Sequence, residues 1–534
     1  MRLKLSYLLL TVLLPFTAVA AQKTIRVLPE PISIVEANGE FSMRKNVKLE
    51  CTNPDLQRTA EIFLNDLKDV YYLENIVSVN SGGNFTLSID RKLEKEEYRL
   101  VVTAKSVKIS GGSAAGVFYA LQTVKQLLNN GAIPAVTIKD KPYFAYRGAH
   151  LDVARYFFTV DEVKKYIDII SLHKINHFHW HLTDDQGWRI EIKSRPELIT
   201  KGSTRKQTVV GKHNVKGVKY DGKPHGGFYT QEQIRDIVKY AAERHITIIP
   251  EIDLPGHMQA ALAAYPHLGC TGGPYELRCT WGVSRDVLCA GNEQMYEFLE
   301  DVLTEVCDLF PSKLIHIGGD ECPKNAWQKC PKCQAKIAEL GLKDDKHHKK
   351  EHYLQNYVMG RVEEFLNGKG RRIIGWDEIL SGNASKTATI MVWHDQNHVI
   401  KAARRGNDVI ATTRYYCYLD YCQTSDPASE PLHMGSDYLS VQQVYKLDPY
   451  DRLNLNYRDK VIGVQASVWT EFIADFNRVQ FALLPRLAAL AETAWAYDRK
   501  PNINDFTVKA RKVLPKLYKA HGYIYAPYFF KGIE

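Results

Sequence analysis

The sequence predicts a (β/α)8 barrel that is preceded by a small α+β domain. From about residue 146 onward, short apolar runs alternate with longer segments in which apolar residues recur at helical spacing. Polar and acidic residues follow directly on these runs, as they do at the carboxyl ends of barrel strands. The eight predicted strands are Gly148–Asp152, Asn176–Leu182, Ile246–Ile252, Leu314–Gly318, Arg372–Trp376, Thr389–His394, Asp408–Thr412 and Val461–Val468.

A doubly wound sheet is the alternative fold, because it also alternates strands with helices. No Gly-x-Gly-x-x-Gly follows the first predicted strand, where a dinucleotide-binding sheet of that kind carries it. The clearest helical patterns between the strands are Val160–His173, Gln231–Arg244, Glu293–Phe310 and Lys350–Asn367. The barrel is therefore the predicted architecture.

Four segments are expected along the chain. In the segment before the barrel, Tyr98–Thr103 and Ser106–Ser110 alternate as strands, and Asp55–Val70 and Ala114–Leu128 read as helices. Near the end of the chain, Val508–Tyr518 is also helical. We assign residues 1–21 to a signal peptide, 22–141 to the α+β companion domain, 142–503 to the barrel and 504–534 to a helical tail packed on it.

The first residues have the pattern of a secretory signal. Arg2 and Lys4 precede an apolar stretch from Leu5 to about Phe16, and small residues follow it. The stretch is shorter than the ~20 residues that a membrane-spanning helix needs. We expect an exported protein, periplasmic or secreted, with no membrane insertion after the signal is removed.

Composition excludes several classes of protein. Hydrophobic residues make up 45% and charged residues 25%, which is typical of a soluble globular chain. A net charge of +9 is modest for 534 residues, so no nucleic-acid partner is expected. The oligomeric state stays open at this stage, with a homodimer as one alternative.

Ten cysteines in an exported chain allow disulfides, although their pairing cannot be read from the sequence. Cys330-Pro-Lys-Cys333 is half of a zinc-binding pattern. A second Cys-x-x-Cys is missing, so neither a metal ion nor another cofactor is expected.

The predicted strand ends bring carboxylates, an arginine and tryptophans to one rim. Pyranose rings offer an apolar face for stacking on aromatic rings, and their hydroxyls suit carboxylates and arginine. The adjacent acids Asp320 and Glu321 follow the fourth strand and are the kind of pair that cleaves sugar bonds. Two glycines before them, Gly318 and Gly319, would let the backbone approach a ligand closely.

The motifs at these ends resemble those of the family-20 glycoside hydrolases, the β-N-acetylhexosaminidases. They occur in family order and span the whole barrel. The matching stretches are Arg147–Arg155, Asn176–Arg189, Glu251–His257, His316–Glu321, Gly375–Glu378, Tyr418–Asp420 and Trp469–Glu471.

The resemblance implies an exo-acting, retaining reaction in which the 2-acetamido group of the substrate is the nucleophile. It makes Glu321 the general acid and base, and it makes Asp320 the ionised partner of the acetamido group. Glu321 is accordingly expected to keep its proton to higher pH than Asp320. The implied substrates are glycans that end in an N-acetylhexosamine.

The same resemblance assigns the surrounding residues. Asp184, favoured over Asp185, and His257 would form the network that tunes Glu321. Tyr418 would contact the acetamido oxygen. The remaining sugar contacts would come from Trp376, Trp393 and Trp469 around the N-acetyl group, and from Arg155, Asp420 and Glu471 at the hydroxyls.

Two other functions compete with this interpretation. His177, His179 and His181 alternate along the second strand, so a barrel hydrolase with a histidine-bound metal is the first alternative. The second is a sugar-binding protein on an inactive barrel. It would require the acid to be absent, whereas Glu321 is present.

Overall fold

The computed structural model describes residues 25–212, 217–382 and 384–531. The predicted signal peptide, residues 1–21, lies outside the described residues. The described chain forms a small α+β domain followed by a closed barrel of eight parallel strands, which confirms the predicted fold class.

The first domain is a seven-stranded mixed sheet with the strand order β1-β7-β5-β6-β4-β2-β3. Its two helices are α1 (Gln57–Asp69) and α2 (Ala114–Leu127). The Ser113 hydroxyl caps α2 by accepting from the Ala115 amide at 3.2 Å. The strands are β1 (Ser33–Ser42), β2 (Val47–Glu50), β3 (Ile76–Val79), β4 (Phe85–Ile89), β5 (Tyr98–Val102), β6 (Val107–Gly111) and β7 (Ala132–Asp140).

The barrel contains all eight strands predicted from the sequence, each within a few residues of its expected bounds. They are β8 (Tyr146–Asp152), β9 (His177–His181), β10 (Thr247–Glu251), β11 (Leu314–His316), β12 (Arg372–Trp376), β13 (Thr389–Val392), β14 (Val409–Ala411) and β15 (Val461–Val468). They pair in sequence, and β15 closes the barrel on β8. Three further pairs of short strands lie in loops: Thr183–Asp184 with Gly187–Trp188, Thr204–Arg205 with His225–Gly226, and Tyr421–Cys422 with Met434–Tyr438.

Helices surround the barrel and bury their apolar faces against the strands, which forms the largest core of the molecule. Capping boxes fix the start of two of them, at Thr159 with Glu162 and at Thr230 with Gln233. The helices are α3 (Val160–Leu172), α4 (Glu197–Thr200), α5 (Gln231–Ala242), α6 (Gln259–Ala264), α7 (Glu293–Leu309), α8 (Asn325–Lys329), α9 (Pro331–Glu339), α10 (Lys350–Gly368), α11 (Gln396–Arg405), α12 (Arg414–Cys417), α13 (Val441–Tyr445), α14 (Phe476–Leu483), α15 (Arg486–Ala496) and α16 (Ile503–Ala520). Among the described residues, every helix is too short or too polar to cross a bilayer.

The first domain contacts the barrel near the amino ends of its strands. Arg147, the second residue of β8, is buried and pairs with Glu96 at 2.9 Å. Asp140 at the end of β7 accepts from Trp495 of α15 at 3.0 Å and pairs with Lys174 at 3.2 Å. This contact leaves the carboxyl ends of the strands, where barrel chemistry is located, open to solvent and ligands.

Candidate active site

The two glycines after β11 accommodate a neighbouring carboxylate. Gly318 has a left-handed φ of +63°, and a Cβ atom there would lie 1.6 Å from Oδ1 of Asp253. The Gly319 amide donates to that same oxygen at 3.2 Å. The space beside Gly318 is thus filled by Asp253, whereas Gly319 packs beside Ile379 and lines a cavity together with Glu321.

Two functional candidates have strained backbones. Glu321 has φ +42° and His257 has φ +53°, a region that side-chain-bearing residues rarely adopt. Such a residue costs about 1–3 kcal/mol and persists only when its surroundings fix it. Here the strain aims the two side chains at each other, with His257 Nε2 3.6 Å from Glu321 Oε2 and 3.8 Å from Asp320 Oδ2.

Alternating carboxylates and imidazoles form a buried chain that leads to the Asp320–Glu321 pair. Glu251 Oε2 lies 2.5 Å from Nδ1 of His181, and Nε2 of His181 lies 2.9 Å from Asp184 Oδ2. Asp184 Oδ1 lies 3.1 Å from Nδ1 of His257. Each imidazole in the chain is thus held in one orientation by a carboxylate.

Asp184, rather than Asp185, is the nearer carboxylate to His257. The corresponding distance to Asp185 is 3.8 Å, and the Asp185 carboxylate accepts instead from the amides of Gln259 and Ser284, each at 3.1 Å. The two neighbouring acids therefore differ in position: one faces the imidazole chain, and the other holds loops in place.

Charge is strongly organised along this chain. Burial alone would lower the pKa of His181, but Glu251 and Asp184 outweigh it and raise that pKa to about 10. Burial is likewise outweighed at His257, where Asp184 brings the pKa well above its ordinary value. Burial raises the pKa of Asp184, but Arg155 and His257 bring it well below its usual range. At neutral pH, His257 therefore presents a cationic N–H to Glu321 and Asp320.

The proton affinities of the Asp320–Glu321 pair are the reverse of the prediction. Burial and the charge of Glu321, opposed by His257, raise the pKa of Asp320 to about 6. The His257 imidazolium lowers the pKa of Glu321 and outweighs its burial. The reason is placement: the side chain of Glu321 is 43% exposed and faces His257, whereas that of Asp320 is 14% exposed.

A cavity of about 220 Å³ opens beside the pair. Ten of the eleven residues predicted for the site line it, with only Trp376 outside the lining. The lining residues are Arg155, Asp184, Asp253, His257, Asp320, Glu321, Trp393, Arg414, Tyr418, Asp420, Tyr421, Met434, Trp469 and Glu471.

Three aromatic side chains form one wall of this cavity. The rings of Trp393 and Tyr418 lie almost parallel, with centroids 6.3 Å apart, and Trp469 lies 6.1 Å from Tyr418. Trp376 is fully buried in the barrel interior, 5.9 Å from Trp469, and its Nε1 donates to Glu251 at 2.8 Å. Trp376 thus supports the wall from behind.

Several buried carboxylate oxygens at the cavity have no hydrogen-bond partner among the residues that the structure describes. They are Asp320 Oδ1, Asp420 Oδ1 and Glu471 Oε2. Burial and the neighbouring Glu471 raise the pKa of Asp420 to about 8. Buried polar atoms are rarely left unpaired, so these three identify positions for ligand hydroxyl or N–H groups.

Comparison with known proteins places the chain in a family. A family model described as glycosyl hydrolase family 20, catalytic domain, matches residues 144–498, and one described as glycosyl hydrolase family 20, domain 2, matches residues 24–141. The chain belongs to glycosyl hydrolase family 20.

Two beta-hexosaminidases illustrate the similarity of this family-20 chain to characterised sequences. That of Porphyromonas gingivalis is 41% identical over 502 residues, which cover 91% of this chain and 62% of that protein. That of Vibrio furnissii is 36% identical over 481 residues, which cover 88% of this chain and 76% of that protein. The chain thus spans less than two thirds of the length of the Porphyromonas gingivalis relative.

Solved family-20 structures share the fold. An exo beta-N-acetylglucosaminidase from Vibrio harveyi, in complex with N-acetylglucosamine, superimposes with a TM-score of 0.83 at 32% identity and covers 93% of this chain and 78% of that one. A Streptomyces plicatus N-acetyl-beta-hexosaminidase in complex with Thio-NAglucal gives 0.81 at 30% identity, with 94% and 96% covered.

Residues outside the predicted set also belong to this family-20 site. Arg414 lies 5.5 Å from the Trp393 ring, and Met434 lines the cavity from a loop. Glu251 ends the third strand and Asp253 follows it, but their roles beneath the pair depend on contacts between strands. Arg414 follows the seventh strand, and this position at a strand end is the signal in the sequence that could have identified it as a site residue.

The alternating histidines of β9 have partners that account for them. His179 Nε2 lies 3.0 Å from Glu251 Oε2, the oxygen that also contacts His181. His177 stacks on Tyr146 with ring centroids 4.2 Å apart, and its Nδ1 lies 2.7 Å from the Asn176 side-chain oxygen. Packing and a polar contact thus account for His177, and His179 shares the Glu251 carboxylate with His181.

Proposed function

We propose that this chain is an exo-acting, retaining β-N-acetylhexosaminidase that removes terminal N-acetylglucosamine or N-acetylgalactosamine from glycans. The observation that carries the proposal is the set of unpartnered carboxylate oxygens of Asp320, Asp420 and Glu471 around a small cavity with an aromatic wall. Its volume of about 220 Å³ lies below the range of about 300–1,000 Å³ for drug-sized ligands, which suits one sugar ring.

Each group then has a role in binding. Asp420 and Glu471 accept from hydroxyls of the terminal sugar, and the Arg155 guanidinium, held by Asp184 at 2.8 Å, lies beside them. Trp393 and Trp469 pack on the N-acetyl group and the ring. A cavity that surrounds a single ring favours cleavage at chain ends.

In the first chemical step, Glu321 donates its proton to the glycosidic oxygen as that bond breaks. The acetamido oxygen of the substrate attacks the anomeric carbon, so the positive charge moves to an oxazolinium ring. Asp320 accepts from the acetamido N–H and stabilises that charge, and Tyr418 donates to the acetamido oxygen. In the second step, Glu321 takes a proton from a water molecule as the water oxygen bonds to the anomeric carbon. The bond between that carbon and the acetamido oxygen breaks, which opens the oxazolinium ring and restores the configuration.

Substrate binding places the proton on Glu321, where the mechanism needs it, although the free site favours a proton on Asp320. A sugar in the cavity displaces water from the half-exposed Glu321, and loss of solvation raises a carboxyl pKa. The acetamido N–H bonded to Asp320 favours its ionised form. The single proton of the pair therefore moves from Asp320 to Glu321 as the substrate binds.

Turnover of three aryl glycosides tests the proposal. We expect release of the aryl group from β-N-acetylglucosaminide or β-N-acetylgalactosaminide, and none from the β-glucoside, which lacks the acetamido nucleophile. Equal turnover of the glucoside would contradict the mechanism. Binding of the acetamido sugars without turnover would favour a sugar-binding protein.

We further propose that the chain is exported through its amino-terminal residues and acts in the periplasm or outside the cell, since Arg2, Lys4 and the apolar stretch support a signal. Amino-terminal sequencing of protein from separated cell fractions tests this. A homodimer is also proposed, and light scattering of the purified chain decides it.

A further inference from the structure

We propose that Cys270, Cys289, Cys330 and Cys333 bind one structural zinc ion, at a site separate from the sugar cavity. The four sulfur atoms all lie within 4.8 Å of one another, and three of the residues are buried. Four thiolates around one point are the ligand set of a structural zinc site.

The distances between the sulfurs match a tetrahedral site. Cys289 Sγ lies 3.6 Å from Sγ of both Cys330 and Cys333, and Cys270 Sγ lies 3.9 Å from that of Cys333. Zinc–sulfur bonds of about 2.3 Å in a regular tetrahedron give edges of about 3.8 Å. A disulfide bond is about 2.05 Å long, far shorter than these separations.

One pair of ligands comes from the start of a helix. Cys330 immediately precedes α9 and Pro331 is its first residue, where a missing amide hydrogen costs nothing. The first turn then brings the thiols of Cys330 and Cys333 to the same side, 3.6 Å from one sulfur.

The second pair comes from the two ends of the loop that lies between α6 and α7. An antiparallel bridge between Gly269 and Leu288 brings those ends together, so Cys270 and Cys289 become neighbours. Gly291 then passes close to the helix: a Cβ atom there would lie 2.2 Å from the Lys332 carbonyl oxygen.

This arrangement revises the expectation that the chain holds no metal. The sequence has no second Cys-x-x-Cys. The partners of Cys330 and Cys333 are instead Cys270 and Cys289, which lie 19 positions apart in the sequence. Zinc is favoured over an iron–sulfur cluster because several iron atoms would spread four thiolates further apart than this compact group allows.

The site connects two loops that carry the candidate active site. Eight residues separate Glu321 from Cys330, and among them Trp327 donates to the Leu288 carbonyl at 2.8 Å. The loop of Cys270 and Cys289 also supplies the Ser284 amide that binds Asp185. A zinc ion would therefore fix the Glu321 loop to the loop that binds Asp185, the neighbour of Asp184 in the sequence.

Metal analysis of the full chain, purified without chelators, tests the proposal. Inductively coupled plasma mass spectrometry should find close to one zinc per chain, and a mercurial that blocks thiols should release it. The double variant Cys330→Ser/Cys333→Ser should hold below about 0.1 zinc per chain, because two of four ligands are lost. The control variants Cys307→Ser and Cys417→Ser, each lacking a buried thiol outside the cluster, should keep it.

Native mass spectrometry of the unmodified chain supplies a second test if the double variant fails to fold. It should show the mass of one zinc, which disappears on denaturation, and a digest without reductant should contain all four residues as thiols. A metal-free chain with disulfides among the four, iron in place of zinc, or full zinc retention by the double variant would each overturn the proposal. Zinc content is measured independently of turnover. The zinc proposal is therefore tested separately from the proposed hydrolase activity.

Discussion

The Asp320→Asn variant probes the electrostatic half of the proposed mechanism. Asparagine has nearly the same shape but removes the negative charge that faces the oxazolinium ring. Opposite charges about 4 Å apart interact by about 4 kcal/mol at an effective dielectric constant of about 20. Removing one preorganised electrostatic contact costs about 10²–10³ in kcat in comparable sites. We therefore expect kcat to fall by about 10²–10³ and KM to change much less.

The assay is steady-state kinetics on aryl β-N-acetylglucosaminides with good and poor leaving groups. The loss should be similar for both, because acetamido attack accompanies the departure of either group. Asp308→Asn, on the exposed side of α7, is the matched control and should retain wild-type rates. An Asp320→Asn enzyme within about fivefold of wild type, well short of the loss expected for this contact, would refute the reasoning.

Three further predictions concern the acid, its titration and the buried chain beneath it. Glu321→Gln should lose far more activity on poor leaving groups than on activated aryl glycosides, which need little protonation, and equal losses would remove Glu321 as the acid. The value of kcat/KM should fall above about pH 6, where the free pair loses the proton held by Asp320. In Asp320→Asn this fall should move to lower pH, toward the lowered pKa of Glu321. An unshifted profile would contradict the assignment of that proton to Asp320. Glu251→Gln should destabilise the fold by up to about 3–5 kcal/mol, since the buried His181 imidazolium keeps only Asp184 of its two carboxylate partners; a melting temperature equal to that of the exposed control Glu300→Gln would be inconsistent with this.

Much of the barrel was predictable because its strands are short, buried apolar runs. Arg372–Trp376 and Val461–Val468 have the same bounds in the prediction and in the structure. The first domain was harder to resolve into strands: β1 (Ser33–Ser42) is largely exposed and its sequence is mixed, so no periodicity reveals it. Its pairing with β7 depends on residues about 100 positions away.

The site shows the same division between local and distant information. Acids at strand ends and the family motifs predicted the residues that line the cavity. Which of Asp320 and Glu321 has the higher pKa was not predictable from the sequence. It depends on the position of Glu321, which lies closer to His257 and is more exposed to solvent than Asp320. The burial of Trp376 depends on the barrel interior that it fills.

The cysteine cluster illustrates a third limit. Cys330 and Cys333 are visible as half of a zinc pattern, but their partners become neighbours only when the bridge between Gly269 and Leu288 closes a loop. Sequence spacing carries no information about such a closure.

A substrate series with progressively fluorinated N-acetyl groups tests the central claim most directly. Fluorine withdraws electrons and makes the acetamido oxygen a weaker nucleophile, while the leaving group and the enzyme stay unchanged. If the substrate supplies the nucleophile, kcat should fall steeply from the acetyl to the trifluoroacetyl compound. A rate that is independent of fluorination would contradict the account and would assign the nucleophile to an enzyme carboxylate such as Asp320.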